Sequence, residues 1–172
     1  MTKEEFIDVL DRAGFNYGLV NGKTVVTHPS HVVLKDLTSL PPDVEFNSGW
    51  NVYLQGVTSL PSGVVFTNSG FVRLDSITSL PSDIEFRNKG YVYLNALTSL
   101  PPGVEFRNGD DVYLESLTSL PPGVEFRNGG DVYLVSLLGG VEQFNKWSGN
   151  IEGVDHKRLL NKMIKQGVFD RG

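Results

Sequence analysis

Apolar residues recur along most of this chain with a strict twenty-residue period. Five consecutive stretches carry the period without insertion or deletion, and each is a variant of L-T-S-L-P-x-G-V-x-F-x-N-x-G-x-V-Y-L-x-x. A fixed period of this length predicts a solenoid, in which each unit buries its apolar side only against neighbouring units. The five repeats are residues 37–56, 57–76, 77–96, 97–116 and 117–136.

Two short strands are predicted in every repeat. In the second repeat Val64 and Phe66 are two residues apart, and so are Val72 and Leu74. Side chains alternate between the two sides of a strand, so both members of each pair point inward. Equivalent residues of successive repeats should then stack at about 4.8 Å per coil.

Two corners are predicted between these strands. Pro61 cannot donate a hydrogen bond to a strand ladder, so the Leu60-Pro61 step should turn the chain. The Asn68-Ser69-Gly70 stretch forms the second corner, because Asn and Gly tolerate positive φ.

The repeat register continues toward the N-terminus in degenerate form. Val26 aligns with Phe46, and Val32 aligns with Val52. Residues 17–36 are therefore predicted as a first coil, which gives about six coils over residues 17–136.

Both ends of the solenoid are predicted to be capped by helices. Thr2-x-x-Glu5 is a capping box at the start of a helix within residues 1–16. Residues 137–172 form the second predicted cap, with a helix at about 155–166. Such caps cover strand edges that would otherwise favour aggregation. The predicted fold is a mainly β, single-domain β-solenoid with N- and C-terminal α-helical caps.

Composition narrows the range of functions. There are no cysteines, which excludes disulfide frameworks and thiolate chemistry. The charged N-terminus lacks a signal-peptide core, and no apolar run approaches the roughly 20 residues of a membrane span, so we expect a cytoplasmic protein without membrane contact. The net charge is −5, with seven bases and twelve acids in residues 17–136, which makes a nucleic-acid partner unfavourable.

The L-T-S-L-P run, seen at residues 37–41, 97–101 and 117–121, resembles leucine-rich repeats, and the V-Y-L strand resembles their L-x-L strand. The path from Leu114 to Leu120 is two residues shorter than in a typical leucine-rich repeat and lacks its Asn, which favours a straighter coil. The chain also resembles short L-T-S-L-P-x-G-V solenoid proteins of bacteria and their phages. For function, the resemblance implies protein recognition.

A candidate binding site lies on the outward side of the V-Y-L strands. Exposed Trp, Tyr and Arg clusters are typical anchors of protein interfaces. Bulky residues such as Trp50 and Phe71 depart from the repeat, and folding alone does not require them. The alternative is that stacked Tyr side chains only stabilise the strand ladder. The candidate residues are Trp50, Tyr53, Phe71, Arg73, Tyr91, Tyr93, Asp110 and Asp111.

Other columns of residues are interpreted as structural. Glu at positions 45, 85, 105 and 125 alternates with Arg at 87, 107 and 127, so the acids should be compensated rather than mimic DNA. The single column of Thr residues is interpreted as forming hydrogen bonds to backbone groups at the corners, rather than as an ice-binding surface. His28 and His31 have no third ligand nearby, so a zinc site is not expected.

The sequence favours a non-enzymatic protein–protein interaction module without a cofactor. The resemblance to phage proteins points to an inhibitor or decoy of a host or defence protein. The alternative is a ligand-binding solenoid that recognises a glycan or nucleotide through its exposed aromatic side chains. A catalytic solenoid would need Asp, Glu or His converging in a cleft, whereas the acids of this chain form ladders.

Overall fold

The computed structural model describes residues 1–134 and Ser136, which form a β-solenoid of six turns behind one N-terminal helix. The twenty-residue coils and their phase are confirmed. The predicted C-terminal helix at about 155–166 lies outside the described residues. The elements are α1 (Lys3–Ala13), β1 (Tyr17–Val20), β2 (Lys23–Val26), β3 (Val32–Val33), β4 (Val44–Phe46), β5 (Val52–Tyr53), β6 (Val65–Phe66), β7 (Val72–Arg73), β8 (Glu85–Phe86), β9 (Val92–Tyr93), β10 (Glu105–Phe106), β11 (Val112–Tyr113), β12 (Glu125–Phe126) and β13 (Val132–Tyr133).

The strands of the described residues form two sheets. The first sheet has seven strands in the order β1-β2-β4-β6-β8-β10-β12, and the second has six in the order β13-β11-β9-β7-β5-β3. Apart from the antiparallel pair of β1 and β2, neighbouring strands are parallel and are offset by one repeat, as in the pair of Val52 with Val72. The register therefore places identical repeat positions directly above one another.

A stack of phenylalanines forms the centre of the core. Phe46, Phe66, Phe86, Phe106 and Phe126 come from successive coils of the first sheet, and their rings are nearly parallel, with centroids 5.3–5.5 Å apart. The Val and Leu columns of the second sheet are buried against this stack. Since the core is a set of columns, each coil is stabilised by its two neighbours.

Helix α1 covers the N-terminal end of the core, as predicted. Thr2 and Glu5 form both hydrogen bonds of the capping box, and Gly14 ends the helix in the left-handed conformation at φ 71°. Phe6 and Leu10 are fully buried, and the Phe6 ring meets Phe46 edge-on at 6.5 Å. The first coil has Val26 in the phenylalanine column, and the helix supplies an aromatic ring to the end of the stack.

The first coil differs from the others by containing a hairpin. Strand β1 pairs with β2 in an antiparallel arrangement, with Val20 opposite Lys23. Asn21 and Gly22 have positive φ values of 50° and 85°, which suits a two-residue turn between twisted strands. An Asn-Gly pair is a strong hairpin signal, whereas the repeat pattern alone predicts only a degenerate coil over residues 17–36. The outermost strand of the first sheet is therefore β1.

The outer surface of the first sheet carries compensated charges. Arg107 lies 2.6 Å from Glu105, and Arg127 lies 2.6 Å from Glu125 and 2.9 Å from Glu105. The hydrogen bond from Arg107 lowers the pKa of Glu105. Glu105 and Glu125 thus each have a cationic neighbour on this sheet, as the alternating columns predicted.

The phenylalanine stack should dominate stability. Phe86 is 1% exposed and lies between Phe66 and Phe106, so Phe86→Ala should lower the free energy of unfolding by about 3–5 kcal/mol through lost burial and a cavity. Arg87→Ala, next in sequence but on the outer surface, should cost less than about 1 kcal/mol. Urea unfolding measures both, and equal losses would contradict the assignment of inner and outer positions.

Candidate protein-binding face

Aromatic and basic side chains cover the outer surface of the second sheet and contact one another. Phe71 meets Tyr53 at 5.1 Å and Tyr93 at 5.8 Å, both edge-on. Tyr91 continues the cluster, 6.1 Å from Tyr93 and from Tyr113. We call this surface the aromatic face, and it comprises His31, Trp50, Tyr53, Phe71, Arg73, Tyr91, Tyr93, Tyr113 and Tyr133.

The tyrosines of the last three described coils form a tight stack. Ring centroids are 4.6 Å apart between Tyr93 and Tyr113 and 4.4 Å apart between Tyr113 and Tyr133, with nearly parallel planes. Burial raises the pKa of all three phenols above the ordinary tyrosine value. The rings cover one another's π-faces, and the face offers ring edges and hydroxyls to a ligand.

Trp50 is the most exposed aromatic side chain among the described residues. Its side chain is 59% exposed at the corner before β5. His31 links it to the rest of the face, since the His31 ring lies 5.7 Å from Trp50 and 6.0 Å from Tyr53. The sequence analysis treated His31 only as a potential metal ligand. Its position one repeat before Asn51, in the same outward column, was the signal that places it here.

Phe71 is less accessible than the sequence analysis supposed. It is partly buried, and the rings of Tyr53 and Tyr93 pack against it in T-shaped contacts. Its ring therefore supports the neighbouring tyrosines as well as contributing to the surface. Trp50, which has no such packing on both sides, is the stronger candidate for an anchor.

Two cations accompany the aromatic rings. The guanidinium of Arg73 lies 5.5 Å from the centre of the Tyr93 ring, and the Lys35 ammonium lies 5.7 Å from that of Tyr53. Arg73 also donates to Asp75 at 2.5 Å, and this hydrogen bond raises the pKa of the guanidinium. Arg73 is therefore held in place while nearly half of its side chain remains exposed.

Asp110 and Asp111 bind backbone groups of the face. Asp110 accepts from the Asp111 N–H at 3.1 Å, and Asp111 accepts from the Asp131 N–H at 2.6 Å. The Tyr113 hydroxyl donates to the other oxygen of Asp111 at 3.3 Å. These two predicted binding residues thus also fix the corner geometry of the last coils.

Charge is distributed unevenly along the face. In the described part of residues 91–136 the only bases are Arg107 and Arg127, and both pair with acids on the first sheet. The second sheet of the same coils carries four carboxylates. One half of the aromatic face is therefore acidic, whereas Arg73 and Lys35 lie on the other half. The four carboxylates belong to Asp110, Asp111, Glu115 and Asp131.

A column of buried asparagines holds the corner that leads into the face. The amide of Asn88, only 1% exposed, donates to the carbonyl oxygens of Gly70, Gly90 and Tyr91 at 2.9–3.2 Å. Asn68, Asn108 and Asn128 repeat the pattern. Each amide bridges two coils, because one acceptor belongs to the preceding coil.

The predicted reason for Asn and Gly at this corner was wrong. Among the described residues other than glycine, only Asn21 and Asp43 have positive φ. Asn occurs here because its side-chain amide donates hydrogen bonds to backbone carbonyl groups. Gly occurs here because the neighbouring coil approaches too closely for a Cβ atom. A Cβ on Gly70 would collide with the Asn51 side-chain oxygen, and one on Gly90 would lie 2.7 Å from the Phe71 nitrogen. Positive φ occurs instead at the proline corner, at Gly63, Gly103 and Gly123.

The chain matches no protein-family model, no curated protein and no solved structure, and its described part holds no metal-ligand cluster. Within residues 1–134 and Ser136, no three His, Cys, Asp or Glu side chains are grouped as metal ligands. The same residues contain no helix that is long and apolar enough to cross a membrane.

Replacing a buried asparagine should destabilise the corner. Asn88→Ala would remove the amide that joins two coils, although the three carbonyl oxygens each keep at least one other donor. At about 0.5–1.5 kcal/mol for each hydrogen bond of the lost amide, the free energy of unfolding should fall by about 1–3 kcal/mol. Asn47→Ala, at an exposed asparagine, should change it by less than about 0.5 kcal/mol. Denaturant unfolding of both variants measures the difference. Equal effects would contradict a structural role for the amide column.

Proposed function

We propose that this protein is a non-enzymatic interaction module that binds another protein through its aromatic face. The observation that carries the proposal is the exposed Trp50 at the corner before β5, whose neighbour His31 also contacts Tyr53. Arg73 lies next to Tyr53 on the adjacent strand. Trp, Tyr and Arg are the residue types that contribute most to protein interfaces. Strand pairing and the core do not depend on an exposed Trp at this position, which supports a role in recognition.

Ring geometry favours a protein partner over a glycan or nucleotide. Sugars and bases bind to the open faces of aromatic rings. Tyr113 is stacked between Tyr93 and Tyr133. The Tyr93 ring is stacked on Tyr113 and also has the Arg73 guanidinium 5.5 Å from its centre. Phe71 makes T-shaped contacts with two tyrosines. Ring edges, phenol hydroxyls and Arg73 are instead suited to the mixed polar and apolar contacts of a protein interface.

The charge distribution defines the surface of the partner. Its central part should be apolar or aromatic, to cover Trp50 and the neighbouring rings. Basic groups should lie opposite the acidic half of the aromatic face, because complementary potentials orient partners and speed their association. The similarity of the repeat to solenoids of bacteria and phages suggests that the partner is a host or defence protein, which this module inhibits or mimics.

Photo-crosslinking tests which surface meets the partner. A photoreactive phenylalanine at Tyr91, in the aromatic face, should give a discrete crosslinked protein in an extract of the native host. The same group at Arg87, on the opposite sheet, should give none. Crosslinks from Arg87 alone would refute the choice of face, and crosslinks to nucleic acid or glycan would favour the alternative function.

Affinity for the crosslinked partner should depend on two side chains of the face. Trp50→Ala/Arg73→Ala should weaken binding at least tenfold, or by about 1.4 kcal/mol, because both are exposed anchors. Thermal unfolding should stay nearly unchanged. Titration calorimetry or interferometry with the purified partner measures the change.

The matched control is Arg87→Ala. Like Arg73, Arg87 is exposed and paired with an acid, but it lies on the first sheet. This variant should bind with wild-type affinity. If both variants bind equally well, the aromatic face is not the contact surface.

A further inference from the structure

Strand β1 is an open, uncharged edge of the first sheet. It consists of Tyr17-Gly18-Leu19-Val20 and is paired on one side only, with β2. Edge strands of soluble proteins are commonly protected by charged residues, by Pro or by a bulge. Charge and proline are both absent from these four residues, so their backbone can pair with another strand.

The register shows which backbone groups of β1 point outward. Val20 and Lys23 close a two-residue turn, and the Thr27 N–H donates to the Asn16 carbonyl at 2.9 Å. Hydrogen-bonded and non-hydrogen-bonded residue pairs alternate along an antiparallel ladder. The backbone N–H and C=O groups of Gly18 therefore point toward β2. The N–H and C=O groups of Tyr17 and Leu19 therefore point away from β2. No hydrogen bond joins them to any other residue in the described part of the chain.

Exposed apolar side chains accompany this edge. Leu19 is 60% exposed and Val20 is 52% exposed, and they are among the few large apolar side chains that the described coils leave in water. Leu19 lies opposite Thr24 and Tyr17 opposite Val26, so Leu19 and Tyr17 are on the same side of the sheet. A strand added at this edge would cover Leu19.

Gly18 lies at the middle of the edge strand, and no contact within a single molecule requires a glycine there. A Cβ added there would have no atom within 4 Å, and its φ is outside the left-handed region. Glycine weakens a strand interior and often marks the close approach of another backbone. At this position the missing side chain leaves the outward groups of Tyr17 and Leu19 open to a neighbouring strand.

We propose that β1 is the contact through which two copies of this chain associate. The strands pair antiparallel about a two-fold axis at Gly18, so that Tyr17 of one copy lies opposite Leu19 of the other. Each copy then uses two N–H and two C=O groups, which gives four hydrogen bonds. The two seven-stranded sheets join into one of fourteen strands.

Self-pairing suits this strand better than a foreign partner. A two-fold contact requires a surface that complements itself. An uncharged strand with Gly18 at its centre meets that condition. Two equivalent pairs form, one on each side of the axis, and in each pair Leu19 of one copy lies opposite Tyr17 of the other. The contact is on the first sheet, so it is separate from the proposed binding function and leaves both aromatic faces free for a bivalent partner.

The oligomeric state of the full chain tests this proposal. Sedimentation and light scattering from about 1 μM to about 1 mM should show a mass approaching twice 19.0 kDa. Leu19→Pro removes an outward N–H that β2 does not use, so it should give a folded monomer. Val33→Pro, at the exposed edge strand β3 of the second sheet, is the matched control and should remain dimeric.

Hydrogen exchange on the wild-type protein provides a readout that does not depend on a variant folding. The amides of Tyr17 and Leu19 should be protected in the dimer and should lose that protection on dilution. A monomeric mass throughout the concentration range would overturn the proposal. So would a Leu19→Pro dimer, or protection at these amides that does not change with concentration.

Discussion

The structure depends on the vertical stacking of identical side chains at a period of twenty residues. Phe46 to Phe126 form one column, and the Val and Leu columns beside it are equally regular. A shift of one residue in any coil would turn its inward side chains outward, because strand side chains alternate. Insertions are therefore absent from the repeats, and the buried asparagines tie each coil to the preceding one at the same register.

This constraint leaves the outward positions free to vary. In the first sheet they form a Glu–Arg ladder whose charges compensate one another. In the second sheet they form the aromatic face, where Trp50 and Arg73 depart from the residues found in later repeats. Tyr113 and Tyr133 stack on each other and are only half-buried, so the same side chains stabilise the ladder and remain partly accessible. Stability and recognition can therefore share one strand.

Much of this arrangement could be predicted from the sequence because the repeat removes ambiguity. Five copies fix the phase of Val64 and Phe66, and Thr2 and Glu5 fix the start of the helix. Features that depend on three-dimensional neighbours were not predicted correctly. The amide of Asn88 donates hydrogen bonds to carbonyl groups in two coils. In the sequence of a single repeat, however, an Asn at this position is equally typical of a turn. His31 joins Trp50 only when successive coils are stacked.

In-register deletion of one coil measures the central claim most directly. Removing residues 77–96 should preserve every column, so the shortened protein should unfold cooperatively in urea with a smaller denaturant dependence. Removing residues 77–95 leaves one extra residue before the next coil and should abolish cooperative unfolding. If the two deletions gave the same cooperative transition, stacking at a fixed register would not be what holds this solenoid together.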